Sequence, residues 1–177
     1  MSKTKWILDP AHSEIQFKVK HLMITTVTGY FKKFNLEVET EGDDFVNASK
    51  IEFTADVDSI DTNNEQRDNH LKSADFFNAS EYKEIKFSGI KYTGTKEEGK
   101  LQGALTLRGV TGNVIANVDF GGITVDPYGQ TKAGFTVTGK LNRKEFGLGW
   151  GAVTEAGNVV VSDEVKFAGE FQLIKQA

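Results

Sequence analysis

Glu14-Ile-Gln-Phe-Lys-Val-Lys-His21 is the stretch that decides how the rest of the chain is read. Ile15, Phe17 and Val19 alternate with Glu14, Gln16, Lys18 and Lys20, and a period of two sets the apolar residues on one face of an extended strand. His21 keeps the apolar parity, so it points inward near the strand's end. The same alternation returns in Phe34, Leu36, Val38, in Ile51, Phe53, Ala55, Val57, and in Ile85, Phe87. It continues through Leu101 to Leu107, Val114 to Phe120, Ala133 to Leu141 and Val165 to Leu173. A sheet whose strands all seek one interior closes on itself. The expected architecture is all-β: an antiparallel barrel of about eight strands in a single domain, 1–177.

Punctuation along the chain fits that plan. Asp9-Pro10 bends the first segment, because proline has no amide hydrogen to continue a ladder. A bulge near Lys32-Lys33 reconciles the opposed parities of Val27, Gly29, Phe31 and Phe34, Leu36, Val38, and a register change is expected near Gly89. Turns fall at Thr40 to Asp44, Lys96 to Gly99, Arg108 to Gly112 and Asp126 to Gly129, with a loop over Asn142 to Gly151. Alternation fails between Thr62 and Phe77, where Arg67, Leu71 and Ala74 fall at helical spacing; one short helix is predicted over about 63–75, with Thr62 or Asn63 as N-cap.

Composition narrows the function. Eighteen glycines, thirteen phenylalanines and two prolines suit a sheet with tight turns and bulky strand residues. A net charge of -4 gives no general attraction to phosphate backbones, so nucleic acid is not expected as a partner. Without cysteine there is no disulfide framework and no thiol nucleophile. No segment reaches transmembrane length and no secretory leader precedes the first strand; the chain reads as cytoplasmic, or periplasmic if a leader was removed. No nucleotide-binding glycine motif occurs, and no cofactor is expected.

A barrel of this size is either filled by its own side chains or holds one small ligand. Small inward residues (Ala55, Gly103, Ala116, Ala133, Gly139, Gly169) beside Phe and Leu suit a cavity and equally suit taper packing. If the lumen is open, its lining is Phe17, Val19, Phe53, Val57, Phe87, Leu105, Phe120, Phe135, Val137 and Phe167, and its natural occupant is an apolar chain. Each buried methylene is worth roughly 0.8 kcal/mol, so ~12 carbons gain about 10 kcal/mol before ordering costs. A head group would be met by polar residues at the mouth, His21 first among them. Asp61, Arg67, Asp68 and His70 read as a polar brace between helix and sheet, with Arg67 forking a carboxylate such as Asp61. Trp150 either covers the barrel end or lines its mouth. Two other readings stay open: a filled barrel acting as an interaction module, and a metal-dependent hydrolase built on His12, His21 and His70, which lack a local ligand spacing.

Four stretches carry a resemblance. Asp9-Pro-Ala-His-Ser13 with Phe17 to Met23, then Ser59-Ile-Asp-Thr62 with Arg67-Asp68, His70-Leu71 and Asp75-Phe-Phe77, then Gly103 to Thr111, then Asn142-Arg143 with Phe146-Gly147 resemble the YceI-like family of bacterial proteins, from Trp6 to about Phe171. Tyr82-Lys83 and Gly112-Asn113 stand where the family usually has proline-containing pairs. The resemblance implies a lipocalin-like barrel with a helix across it. It also implies a long pore that binds polyisoprenoid or related long-chain lipid without catalysis, for sequestration or transport, commonly in a homodimer.

Overall fold

The computed structural model describes residues 3–148 and 161–177. Eleven strands form one sheet: β1 (Lys3–Leu8), β2 (Glu14–His21), β3 (Thr25–Phe31), β4 (Phe34–Glu41), β5 (Lys50–Asp56), β6 (Ile60–Asp61), β7 (Glu84–Gly94), β8 (Glu98–Leu107), β9 (Val110–Val125), β10 (Thr131–Asn142) and β11 (Glu164–Lys175). All pairings are antiparallel, and β1 meets both β4 and β11, so the ring β1-β4-β5-β7-β8-β9-β10-β11 closes with eight strands. The barrel is therefore the expected one.

The three remaining strands lengthen the staves rather than add to them. Both β1 and β2 lie along β11, with Leu8 opposite Leu173 and Ile15 opposite Gly169; between them the chain makes a 3-10 turn at Pro10–His12. The break after Leu8 is bridged from β11, where the Asp9 amide donates to the Gln172 carbonyl (2.8 Å) and the Gln172 amide donates to Ser13 Oγ (3.0 Å). Likewise β3 runs on into β4 across Lys32-Lys33, as the opposed parities require, and β5 into β6 across a 3-10 turn at Val57–Ser59. The second bulge falls between Gly89 and Lys91, as expected.

The Arg108-Gly109 turn is tighter than predicted. Both residues adopt positive φ (49° and 72°), so β9 starts at Val110 rather than beyond Gly112. The helix α1 spans Glu65–Lys72, shorter than the predicted 63–75, and Asn64 caps it by accepting from the Arg67 amide at 3.0 Å. Thr62 and Asn63 do not cap: Thr62 is drawn to Asp68, and Asn63 sits at φ 63°.

Two apolar clusters fill the wall's inner side. One, around Phe31, Val57, Phe76 and Phe146, occupies the end that carries α1; the other, around Trp6, Leu36, Val38 and Phe171, occupies the opposite end. Trp6 is fully buried and donates its Nε1 hydrogen to the buried Thr40 Oγ1 at 2.9 Å, which ties β1 to β4 there. Among the described residues no helix is long and apolar enough to cross a membrane.

Candidate functional site

The two clusters surround a hollow. A cavity of about 470 Å³ runs from the α1 end to the opposite end, within the usual range for ligand pockets. The interior is thus not filled, which removes the basis for a solid barrel. Ten of the eleven residues expected to line it do so: Phe17, Val19, His21, Phe53, Phe87, Leu105, Phe120, Phe135, Val137 and Phe167.

Val57 does not. The alternation of β5 carries it inward on paper, but the strand ends at Asp56, whose side chain accepts from the Asp58 amide and turns the chain into a 3-10 turn. Val57 is left 1% exposed in the packed cluster and does not border the lumen.

The hollow exists because of where the small residues sit. Gly29 lies directly across from Phe17, and a Cβ there would meet the Phe17 ring at 2.2 Å. Gly103 is covered by Phe87, diagonally across the β7–β8 pair, and Gly169 by Phe171, two residues on along β11. Each ring therefore lies down against the wall over a glycine instead of reaching across the lumen. The small residues make room along the wall, and the centre stays open.

Polar groups gather at the two ends. At the α1 end His21, Lys20, Thr62, Arg67, His70 and Arg143 border the cavity. Arg143 is 3% exposed and donates to the carbonyls of Leu148, Ser162 and Val161, with Asp163 at 3.8 Å. Burial pulls its guanidinium below the ordinary value, and Asp163 works in the opposite direction. Arg143 was visible in the sequence only as part of a motif; its role as a hub for three carbonyls had no sequence signal.

The brace differs from expectation. Arg67 donates from Nε and Nη2 to the Thr62 hydroxyl and carbonyl, not to Asp61, while Asp68 accepts from the Thr62 amide and hydroxyl. Asp61 instead accepts from the Asn63 amide (2.8 Å), and His70 pairs with Asp75 at 2.8 Å. The exposed ring of His21 and the Nη1 of Arg67 make no hydrogen bond among the described residues. At the opposite end Tyr92, Thr95 and Lys96 border the cavity, and the Tyr92 hydroxyl donates to the Thr95 carbonyl. Burial raises the Tyr92 phenol above its ordinary value, helped by Asp119, Glu97 and Glu98.

The three histidines do not converge. His12 Nδ1 lies 2.8 Å from Asp9 at the strand bend, and His70 faces Asp75. Among the described residues no group of three His, Cys, Asp or Glu side chains is placed to hold a metal ion. Trp150 lies outside the described residues.

A closed eight-stranded antiparallel barrel with a helix at one end and an apolar lumen defines a lipocalin-like barrel protein. Residues 6–173 match the YceI-like domain, and the chain belongs to that family. It is 38% identical over 175 residues to a UPF0312 protein of Staphylococcus aureus (strain USA300), covering 96% of this chain and 98% of that one. Among solved structures it resembles BcnA of Burkholderia cenocepacia, with a TM-score of 0.79 at 22% identity over 93% and 98% of the two chains. It also resembles a polyisoprenoid binding domain from Saccharophagus degradans, with a TM-score of 0.70 at 14% identity over 97% and 98%.

Proposed function

We propose that the protein binds one long-chain amphiphilic lipid, of polyisoprenoid or similar type, inside the barrel and releases it unchanged. One observation carries the reading: the lumen is a phenyl-lined space with its polar groups confined to the ends. A hydrocarbon tail gains from every methylene it hides there, whereas a polar metabolite would lose its hydration without partners. The Saccharophagus domain, which shares the fold, is described as binding polyisoprenoid, and this supports the same ligand class here.

The head group would sit at the α1 end. Arg67 keeps Nη1 available, the His21 ring makes no hydrogen bond among the described residues, and Lys20 stands beside it. This set favours a head with negative charge or exposed oxygen acceptors. Among the described residues no nucleophile at either end is paired with a histidine base, which supports carriage or sequestration over catalysis. A homodimer would use the β9–β10 hairpin, which runs past the end of its β8 pairing at Asp119 and exposes Ile123, Val125 and Tyr128, the last at 90%.

Native mass spectrometry of freshly purified protein, followed by organic extraction, tests the reading. A defined lipid near one per protomer is expected. Absence of any lipid, together with no uptake of added prenyl or long-chain acyl amphiphiles, would overturn it.

A further inference from the structure

At the end away from α1 the lumen is bordered by a loop. Residues 42–49 join β4 to β5 across the barrel mouth, and Phe45 points from this loop into the interior. Its ring packs on Trp6 (4.8 Å between centroids), Phe135 (4.9 Å) and Phe120 (5.6 Å). Behind it lies a second, outward-facing hollow of about 370 Å³, lined by Asp43, Asp44, Phe45, Lys96, Phe120 and Ile123. Phe45, Phe120 and Lys96 border both spaces. Phe120 belongs to the wall, on β9, and Lys96 is an exposed residue of the β7–β8 turn; Phe45 alone of these three crosses from a loop.

The loop is fixed on both sides of Phe45. Asp44 accepts from the amides of Val46 (3.1 Å) and Asn47 (3.3 Å) and from Asn47 Nδ2 (3.0 Å). Lys175 holds Asp43 at 2.9 Å, Thr40 Oγ1 donates to the Gly42 carbonyl, and the Ser49 amide donates to the Glu39 carbonyl at 2.8 Å. A ring held by three aromatic neighbours on a loop tied at this many points is a floor rather than a swinging door. Beyond it, Asp43, Asp44 and Lys96 make the outer hollow a poor place for a hydrocarbon end.

We propose that Phe45 sets the longest hydrocarbon chain the protein accepts, its ring being the stop against which the buried end of the tail rests. The inference deepens the lipid-binding reading and depends on it. It assigns specificity for chain length to a residue far from the head-group end. Chains short of the ring gain affinity with each added methylene, about fourfold per carbon; carbons beyond that length gain nothing.

The test is a chain-length series. Delipidated wild-type, Phe45→Ala, Phe45→Leu and Phe45→Trp proteins are titrated with straight-chain amphiphiles that share one head group and differ only in length. Wild-type affinity is expected to climb about fourfold per methylene and then level. The levelling point should move to longer chains in Phe45→Ala, move less in Phe45→Leu, and move to shorter chains in Phe45→Trp, with affinities for the shortest ligands unchanged. Phe45→Leu carries the comparison if Phe45→Ala fails to fold. Tight binding that levels at one length in all the proteins would overturn the length inference alone. Failure of every chain to bind wild type would overturn the lipid reading and the inference with it.

Discussion

The ring of Phe167 on β11 covers Gly139 on β10, its directly opposed partner across the sheet, so closely that a Cβ at position 139 would stand 2.3 Å from the ring's Cζ. Glycine is required here by space, and the ring it accommodates is one that would otherwise occupy the lumen. Gly139→Val is expected to tip Phe167 inward. Overpacking of this kind costs about 1–3 kcal/mol, and the displaced ring takes volume from the ligand. A lowered thermal midpoint and at least tenfold weaker binding of a long-chain probe should appear together. An unchanged probe affinity would show that the ring does not guard the lumen.

That dependence explains what the sequence could and could not disclose. Period-two alternation in Ile15 to Val19 or Ile51 to Ala55 identifies staves and their inner faces without any tertiary knowledge. Whether the centre is open depends on which residue faces which across strands, as with Phe167 and Gly139, or Phe17 and Gly29, and a bulge at Gly89 or a break at Lys32 resets that register. Val57 misled because alternation in the letters outlasts the strand. Phe45 was hidden because it stands alone in Glu-Gly-Asp-Asp-Phe-Val-Asn, a run that reads as a polar turn; a lone aromatic in such a run was the available clue.

Acid should weaken the bend between β1 and β2. Asp9 is buried, which alone would raise its carboxyl, but hydrogen bonds from Lys132 and His12 outweigh that and hold it below the usual carboxylate range. A group with a depressed native value stabilises the fold above its unfolded value of about 3.8 and loses that contribution as pH falls through the lower native value. Asp9→Asn should therefore lower the urea midpoint at pH 7 and narrow the difference between pH 7 and pH 3. A variant with the wild-type pH profile would remove Asp9 from the acid response.

Arg143 offers a test of the α1 end's construction. Arg143→Met keeps much of the volume but leaves the carbonyls of Leu148, Ser162 and Val161 without this donor. A loss of about 3 kcal/mol in unfolding free energy is expected, measured by urea denaturation. A loss near zero would mean that water replaces the guanidinium at all three oxygens.

The head-group assignment separates by charge. Arg67→Gln removes a cation at the lumen's end, along with the Nε and Nη2 donations to Thr62. Binding of an acyl chain with an anionic head should fall about tenfold, while the same chain with a neutral head is nearly unaffected. Equal losses for both would assign Arg67 to the brace alone.

The ring of strands is joined by β11, which lies beside β10 and also meets β1 at Leu8–Leu173 and β2 at Phe17–Phe167. Every stave from β1 to β10 emerges from the ribosome before this one, and until it docks, the inner faces rich in phenylalanine belong to an open sheet with two free edges. The binding chamber does not grow gradually during synthesis; it comes into being with the last strand. On the lipid-binding reading, a ligand can be taken up only by the finished barrel, and a chain stalled before β11 leaves its apolar inner faces uncovered.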